Sequence, residues 1–170
     1  MFVLTPYQLK FLVDIQASDI DFIVVGGRAL QAHNFERETE DLDIFVSRTK
    51  DNILKLTTFL HTNFPHSRTT VSVELLSLPQ KLIPIPSMEV KEVDMLTSIG
   101  ALDFGLAKKN VILISYESIT IPILGLKELI YSKCASLEAS KLQSSVNQDL
   151  IDIHLLQESF ICVAKSLSRD

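Results

Sequence analysis

Two short apolar runs constrain the fold of this chain more than any other feature. The first is FIVV at residues 22–25, which ends in two glycines, and the second is LDIFV at residues 42–46. Apolar runs of this length, bounded by turn residues, are typical of strands buried in a sheet. The segment between them, from Arg28 to about Asn34, has room for one or two helical turns. The chain therefore begins as strands and helices in alternation.

The same alternation of patterns continues along the chain. Thr5-Pro6 is a typical helix start, with a capping hydroxyl before a proline. The predicted helices cover about 6–17, 49–63, 101–110, 125–141 and 146–159, with one more reaching the C-terminus. The predicted strands cover 22–25, 42–46, 70–78, 88–96, 111–116 and 118–124. Prolines make 81–86 an edge strand or a loop. We expect an α/β (α+β) fold, in which helices flank a small mixed sheet and take over at the end.

Length and composition fit a single domain. The chain has 170 residues, of which 46% are hydrophobic and 22% charged, as in ordinary globular proteins. We expect one domain over 1–170, with a mixed-sheet core over about 22–124 and C-terminal helices over about 125–170. The net charge of −5 argues against a broad basic surface for nucleic acid, although a local basic pocket is compatible with it.

Cysteine and histidine usage predicts neither disulfides nor zinc. Cys134 and Cys162 lie in apolar helical patterns, so we expect buried, reduced thiols and a cytoplasmic location. No apolar run approaches the ~18–20 residues that span a bilayer, and the N-terminus lacks the order of a signal peptide. The histidines lack zinc-ligand spacing and are expected to be structural or surface residues: His33, His61, His66 and His154.

Two acids at the start of the second apolar run are candidates for metal binding. Asp41 and Asp43 are two residues apart, so on a strand both carboxylates project from one face, where they repel each other unless a cation lies between them. Oxygen ligands of this kind suit Mg²⁺ or Mn²⁺. Acids are frequent enough that about two or three such pairs are expected by chance. A solvated loop edge is therefore the alternative.

A third acid and a glycine turn give the pair its context. Asp94 lies in the strand-like EVDML, where an acid is costly to bury without a partner, unless that face of the strand is solvated. Gly26-Gly27 joins a strand to a helix start, where the backbone can approach phosphate oxygens. Arg28 adds a cation beside that turn. The alternatives are an ordinary tight turn and an exposed arginine.

The string VVGGRALQAHNFERETEDLDIFV resembles the signature of the nucleotidyltransferase superfamily, which has the polymerase-beta-like fold. In that superfamily a Gly-Gly or Gly-Ser turn precedes an Asp-x-Asp strand. The resemblance is closest to minimal bacterial nucleotidyltransferases, including toxins of the abortive-infection type. It continues in later motifs, so that it spans about residues 22–157: EVDMLTSIGALDFGLAKK, LGLKELIYSKCAS and QDLIDIHLL.

The resemblance implies an activity and a set of site residues. The activity is metal-dependent transfer of a nucleoside monophosphate from an NTP to a hydroxyl group. The implied catalytic residues, which are also the ligands of Mg²⁺ (or Mn²⁺), are Asp41, Asp43 and Asp94. The implied nucleotide contacts are Gly26, Gly27, Arg28 and Lys133. Two acids near the end of the matched region would orient the lysine or bind the acceptor, unless they form a solvated helix face: Asp149 and Asp152.

The sequence leaves the acceptor and the activity open. The acceptor is a protein, an RNA end or a small molecule, and we expect no membrane partner. Gly27 followed by Arg28 stands where many active relatives have a serine, and the arginine common before the motif lysine is absent. A second hypothesis is therefore a catalytically inactive protein that binds a nucleotide or a partner protein, such as a component of a toxin–antitoxin pair.

Overall fold

Helices and strands interleave as the sequence predicts. The computed structural model describes residues 1–65, 70–86, 91–139 and 149–158. The helices are α1 (Pro6–Ala17), α2 (Gly26–Ala32), α3 (Lys50–Asn63), α4 (Val73–Ser77), α5 (Phe104–Lys109), α6 (Leu126–Ala139) and the helical residues 149–158, here α7. The strands are β1 (Phe22–Val25), β2 (Leu42–Val46), β3 (Leu82–Pro86), β4 (Lys91–Leu96), β5 (Ile112–Tyr116) and β6 (Ile119–Ile123).

The strands form one mixed sheet. Its six strands have the order β3-β4-β2-β1-β6-β5. The pairs β1–β2, β3–β4 and β5–β6 are antiparallel, whereas β1–β6 and β2–β4 are parallel. The two strands that follow from the opening apolar runs, β1 and β2, therefore lie at the centre. The expected mixed sheet flanked by helices is confirmed.

Local sequence explains how the chain enters the sheet. The Thr5 hydroxyl accepts the Gln8 N–H, and the Gln8 side chain accepts the Thr5 N–H, which closes a capping box at the start of α1. All four residues of β1 are buried, as expected for a strand covered on both faces. The central strands and α1 share one continuous apolar core, which fixes the position of the β1–α2 turn.

One expected strand is a helix. The apolar residues of 70–78 predict a strand, but Val73–Ser77 form α4, which packs against α3. The Ser72 hydroxyl accepts the Leu75 N–H at 3.2 Å, so this serine is an N-cap. Glu74 lies in the first turn of the helix, where a carboxylate is favourable. Capping and packing therefore override the strand-like composition.

The thiol prediction is wrong for Cys134, which is exposed on α6. That helix buries Leu129, and Cys134 lies five residues further along, on the opposite side of the helix. Cys162, His66 and the expected C-terminal helix lie outside the described residues.

The structural role expected for histidine is confirmed at His33, whose Nε2 lies 2.8 Å from the Leu124 carbonyl oxygen.

Two further histidines also follow the prediction. The Nε2 atom of His61 lies 2.9 Å from the Val71 carbonyl oxygen, and His154 lies on the surface beside Glu158.

Within the part of the chain that the structure describes, no helix is both long enough and apolar enough to cross a membrane.

Candidate functional site

The predicted acids Asp43 and Asp94 lie side by side in the sheet. β2 runs between β1 and β4, and Asp43 is the direct partner of Val25 on one side and of Asp94 on the other. Residues that face each other across paired strands project from the same face of the sheet. The topology therefore places the two carboxylates next to each other, although they are far apart in sequence.

Gly26 makes room for the Asp43 carboxylate. Its backbone is left-handed, with φ of +63°, a conformation that costs other residues strain. A Cβ atom built on Gly26 would lie 2.0 Å from Asp43 Oδ2, which is far inside a van der Waals contact. The carboxylate thus lies directly against the backbone of the β1–α2 turn. The glycine of the predicted phosphate turn is required by this contact as well as by its φ angle.

Gly27 supports the loop that leads into β2. A Cβ atom on Gly27 would lie 2.8 Å from the Cβ of Thr39, so the start of α2 and this loop pack closely. The loop backbone is held by three side chains: Gln8 donates to the Glu40 carbonyl at 2.7 Å, Arg28 donates to the same carbonyl, and Gln31 donates to the Arg37 carbonyl. Several buried groups therefore fix the approach to Asp41.

The charge environment of Asp43 is dominated by burial and by other acids. The pKa of its carboxyl is raised to about 6, first by burial and then by the charges of Asp94 and Asp41, against the opposing effect of Lys133 and Arg37. Four charged side chains, two acidic and two basic, therefore influence the ionisation of the Asp43 carboxylate. Acids outweigh cations around it, which is the condition in which a bound metal ion stabilises a site.

Lys133 belongs to a buried ion-pair network. Its Nζ atom lies 2.9 Å from Asp149 Oδ1 and 2.7 Å from Asp152 Oδ2, and the Asp152 side chain is fully buried. Arg37 Nε donates to the other oxygen of Asp152 at 2.8 Å, and Ser136 donates to Asp149. Burial lowers the pKa of the Lys133 ammonium, but the hydrogen bonds and charges of both aspartates outweigh burial and raise it. Lys133 is therefore a cation.

This network connects distant parts of the chain. It joins α6, α7 and the loop before β2, because Lys133, Asp152 and Arg37 belong to these three elements. Asp149 and Asp152 both contact Lys133, and that they orient it for a nucleotide stays a prediction. Arg37 and Ser136 were given no role from the sequence, although Arg37 lies in the Arg-x-Thr-x-Asp string that carried the resemblance.

A cleft runs between the sheet and α6. Its volume is about 540 Å³, and its wall includes Gly26, Asp43, Lys133, Asp149, Leu96 and Gly100. A second cleft of about 530 Å³ lies at the other end of β1 and β2. Its charged groups already have partners within the protein: Lys108 pairs with Asp21, Asp103 caps α5, and Arg48 donates to the Ser77 carbonyl. The first cleft is therefore the candidate site.

The predicted site residues are only partly brought together. Gly26, Asp43 and Lys133 line one cleft, with Asp94 next to Asp43. Asp41 is exposed just before β2 and acts on Asp43 through its charge. Among the described residues, no group of three or more His, Cys, Asp or Glu side chains is arranged to hold a metal ion.

Arg28 is placed differently from an exposed helix-start residue. It is buried, and its guanidinium donates to the Gln31 side chain and to the Glu40 carbonyl. These contacts give it a structural role in the loop before Asp41. Its contact with phosphate stays a prediction, as does that of the Gly27 backbone.

The remaining acids suit a magnesium ion that is shared with a ligand. Mg²⁺ is usually bound through one or two carboxylates, with water and substrate phosphates completing the octahedron. Asp43 and Asp94 supply two adjacent carboxylates, and the raised pKa of Asp43 reflects burial first and then the charge of Asp94, both of which a bound cation would offset. The chemistry of this pair fits a divalent cation, whereas the role of Asp41 as a ligand stays a prediction.

Comparison with known proteins supports the fold. An antigenic nucleotidyltransferase-like protein from Paracoccidioides brasiliensis has a similar structure, with a TM-score of 0.53 and 18% sequence identity. The match covers 90% of this chain and 77% of that chain. No protein-family model matches the chain, and no curated protein matches its sequence. At this identity the similarity concerns architecture: the chain has a nucleotidyltransferase-like fold.

Proposed function

We propose that this protein transfers a nucleoside monophosphate from an NTP to a hydroxyl acceptor, with Mg²⁺ or Mn²⁺ held by Asp43, Asp94 and Asp41. The observation that carries the proposal is the pairing of Asp43 with Asp94 at the wall of a cleft, with the Asp43 carboxylate against the Gly26 turn. The nucleotidyltransferase-like fold supports it. The resemblance to the minimal bacterial group is part of the same proposal.

The charge balance of the site favours dependence on a divalent cation. The acids in and around the cleft are Asp41, Asp43, Asp94, Asp149 and Asp152. Three cations accompany them: Lys133 and Arg37 are already paired with the last two of these acids, and Lys81 lines the cleft. A triphosphate therefore meets a region with a surplus of negative charge, which by itself disfavours binding. Bound divalent cations reverse this balance, so nucleotide binding should require them.

Each residue has a distinct task in the proposed reaction. A divalent cation held by Asp43 and Asp94 would neutralise phosphate charge and favour ionisation of the acceptor hydroxyl. Asp94 would accept the proton of the hydroxyl, whose oxygen bonds to the α-phosphorus as the bond to the β-phosphate breaks and pyrophosphate leaves. Gly26 leaves the backbone of the β1–α2 turn accessible beside Asp43. Lys133 lines the cleft, and it would act on the triphosphate as a point charge that its two aspartate partners partly offset.

Label transfer tests the activity. The full chain is incubated with each α-labelled NTP, Mg²⁺ and a cell extract as the source of acceptors. We expect label on one acceptor class, lost in Asp43→Asn and Asp94→Asn and retained in the control Glu36→Gln, which removes an exposed acid near the site. Transfer that persists in both aspartate variants, or no transfer with any NTP, contradicts the proposal.

The second hypothesis, a catalytically inactive binding protein, is supported by the contacts that Lys133 and Arg28 already make. Lys133 is bound by two carboxylates and Arg28 is buried, so neither is freely available to a triphosphate. A catalytically inactive member would then bind Mg-nucleotide or a partner protein, such as the other half of a toxin–antitoxin pair. Calorimetry with Mg-ATP and Mg-CTP separates the two: tight binding without label transfer favours this alternative, and transfer excludes it.

A further inference from the structure

The two edges of the sheet differ in how well they are protected against pairing with another chain. The β3 edge carries prolines at 84 and 86, which lack an N–H group, and its register shifts at Ile85/Pro86. Prolines and bulges are devices by which natural edge strands avoid further pairing. The β5 edge has the sequence ILISY, without proline, charge or register shift. Only one edge of the described sheet is therefore blunted.

The backbone of β5 offers hydrogen bonds on its outer side. β5 and β6 are joined by a two-residue turn, so Tyr116 and Ile119 form the pair that closes the hairpin. Hydrogen-bonded and non-hydrogen-bonded pairs alternate along an antiparallel ladder. The Leu113–Pro122 pair is then non-bonded, in agreement with the missing N–H of proline. The N–H and C=O groups of Leu113 and Ser115 therefore face away from β6.

β5 also exposes apolar side chains to solvent. Leu113 is 67% exposed and Ile112 is 38% exposed, and both belong to a strand without a charged residue. An uncharged, exposed and unbulged edge is a template for adding a strand. Within the described residues β5 pairs with β6 alone.

The charges that flank β5 indicate which strand would be added. Lys109 is the last residue of α5 and lies three residues before the start of β5, Glu117 follows β5 directly, and both side chains are exposed. Antiparallel pairing of two copies of β5 brings the start of each strand near the end of the other. Each Lys109 then lies near the Glu117 of the second copy, whereas parallel pairing would align like charges. The edge is thus self-complementary in the sense that a two-fold dimer requires.

We propose that two copies of this chain associate through antiparallel pairing of their β5 strands, which joins two six-stranded sheets into one. The contact is isologous: Leu113 and Ser115 of each copy exchange backbone hydrogen bonds with the other strand. The cleft beside α6 is at a different part of the sheet, since its strand residues come from β1 to β4 and β6 lies between β1 and β5. The dimer therefore stands independently of the proposed activity.

Sedimentation of the full chain over a range of concentrations tests this proposal. We expect a reversible monomer–dimer equilibrium in the wild type and a monomer in Leu113→Lys, which places a charge on the exposed edge. The matched control is Leu54→Lys, which alters a leucine that is 47% exposed on α3, and it should retain the dimer. Thermal unfolding of each variant confirms that the monomer is folded.

A charge swap gives an independent readout. Lys109→Glu and Glu117→Lys should each weaken the dimer, because each brings like charges together, and the double variant should restore it. A monomeric wild type, a dimer that Leu113→Lys leaves intact, or a dimer that Leu54→Lys breaks equally overturns the proposal. Loss of the dimer in both single charge variants without recovery in the double variant also contradicts the antiparallel arrangement.

Discussion

Asp43 and Asp94 occupy directly neighbouring positions on two parallel strands, and burial together with the charge of Asp94 makes ionisation of Asp43 less favourable. Protonation of Asp43 or a bound cation would relieve this cost. The ligand-free protein therefore holds an unfavourably ionised carboxylate at neutral pH.

Removing the Asp43 charge should stabilise the ligand-free protein. The pKa of this carboxyl is raised to about 6, so at neutral pH the folded state holds an ionised group that it disfavours. We expect Asp43→Asn to raise the melting temperature by a few degrees in the presence of a chelator. Calorimetric melting of both proteins measures the difference.

The higher melting temperature of Asp43→Asn relative to the wild type should disappear when a divalent cation is present. Saturating Mn²⁺ should raise the melting temperature of the wild type and leave Asp43→Asn unchanged, because binding to the folded state alone stabilises it. Glu38→Gln, which removes an exposed acid of the loop before β2, is the control and should behave as the wild type. Equal Mn²⁺ stabilisation of wild type and Asp43→Asn would speak against a cation at Asp43.

Cation affinity should rise with pH. The folded pKa of Asp43 is raised from 3.8 to about 6. Between these values the folded state keeps a proton that the unfolded state has released, so this group's contribution to stability is present at low pH and is lost as pH rises through about 6. The same deprotonation creates the metal ligand. Titrations with Mn²⁺ should show affinity increasing from about pH 5 to about pH 7, and a flat profile would contradict this assignment.

Gly26→Ala should damage the fold and the site together. The left-handed backbone costs an alanine about 1–2 kcal/mol, and the new Cβ would also collide with Asp43 Oδ2. We expect a lower free energy of unfolding and loss of Mn²⁺ binding, measured by denaturant titration and by calorimetry. Gly105→Ala is the matched control, since Gly105 lies in α5 without a positive φ and meets only the Asp103 side chain. A free energy of unfolding equal to that of the wild type in Gly26→Ala would show that the turn accommodates a Cβ atom, and it would contradict this prediction.

The buried network should behave as one unit. Asp152→Asn leaves Lys133 and Arg37 without their shared carboxylate, and breaking a buried pair in this way typically costs about 3–5 kcal/mol. We expect Lys133→Met to be costly as well, and the double variant to cost less than the sum of the two single losses. Denaturant titrations of the four proteins give the coupling energy.

An exposed ion pair provides the comparison for that network. Lys55 lies on the surface and pairs with Asp19 and Asp51. Lys55→Met should leave the unfolding midpoint unchanged, because solvent screens such pairs. Additive losses for Lys133 and Asp152, or a Lys55→Met variant as damaged as Asp152→Asn, would contradict the importance of burial.

The sequence predicted the parts of the fold that depend on local patterns. The apolar runs at 22–25 and 42–46, the Thr5-Pro6 helix start and the strands within 111–116 and 118–124 can all be predicted from neighbouring residues. Residues 70–78 were misassigned because their apolar residues outweighed the capping serine at 72. Exposure of Cys134 depends on which face of α6 packs, and that is decided by the tertiary structure.

The candidate site also combines residues that the sequence predicts with contacts that depend on the tertiary structure. The sequence identified Asp43, Asp94 and Lys133 one by one, but their proximity depends on the register of β2 with β4 and on the position of α6. Arg37 was missed as the partner of Asp152, because the two are far apart in sequence and meet only through the fold of α7. Whether Gly26 accommodates a carboxylate is likewise visible only from the contact with Asp43.

The central claim is that Asp43 and Asp94 hold a divalent cation that in turn binds a nucleoside triphosphate. Calorimetric titration of the full chain with ATP and CTP, in Mg²⁺ and then in a chelator, tests this most directly. The account predicts binding in Mg²⁺ that is lost in the chelator and in both Asp43→Asn and Asp94→Asn, but retained in Glu36→Gln. Binding of equal strength in the chelator and in the two aspartate variants, or no binding in Mg²⁺, would contradict it.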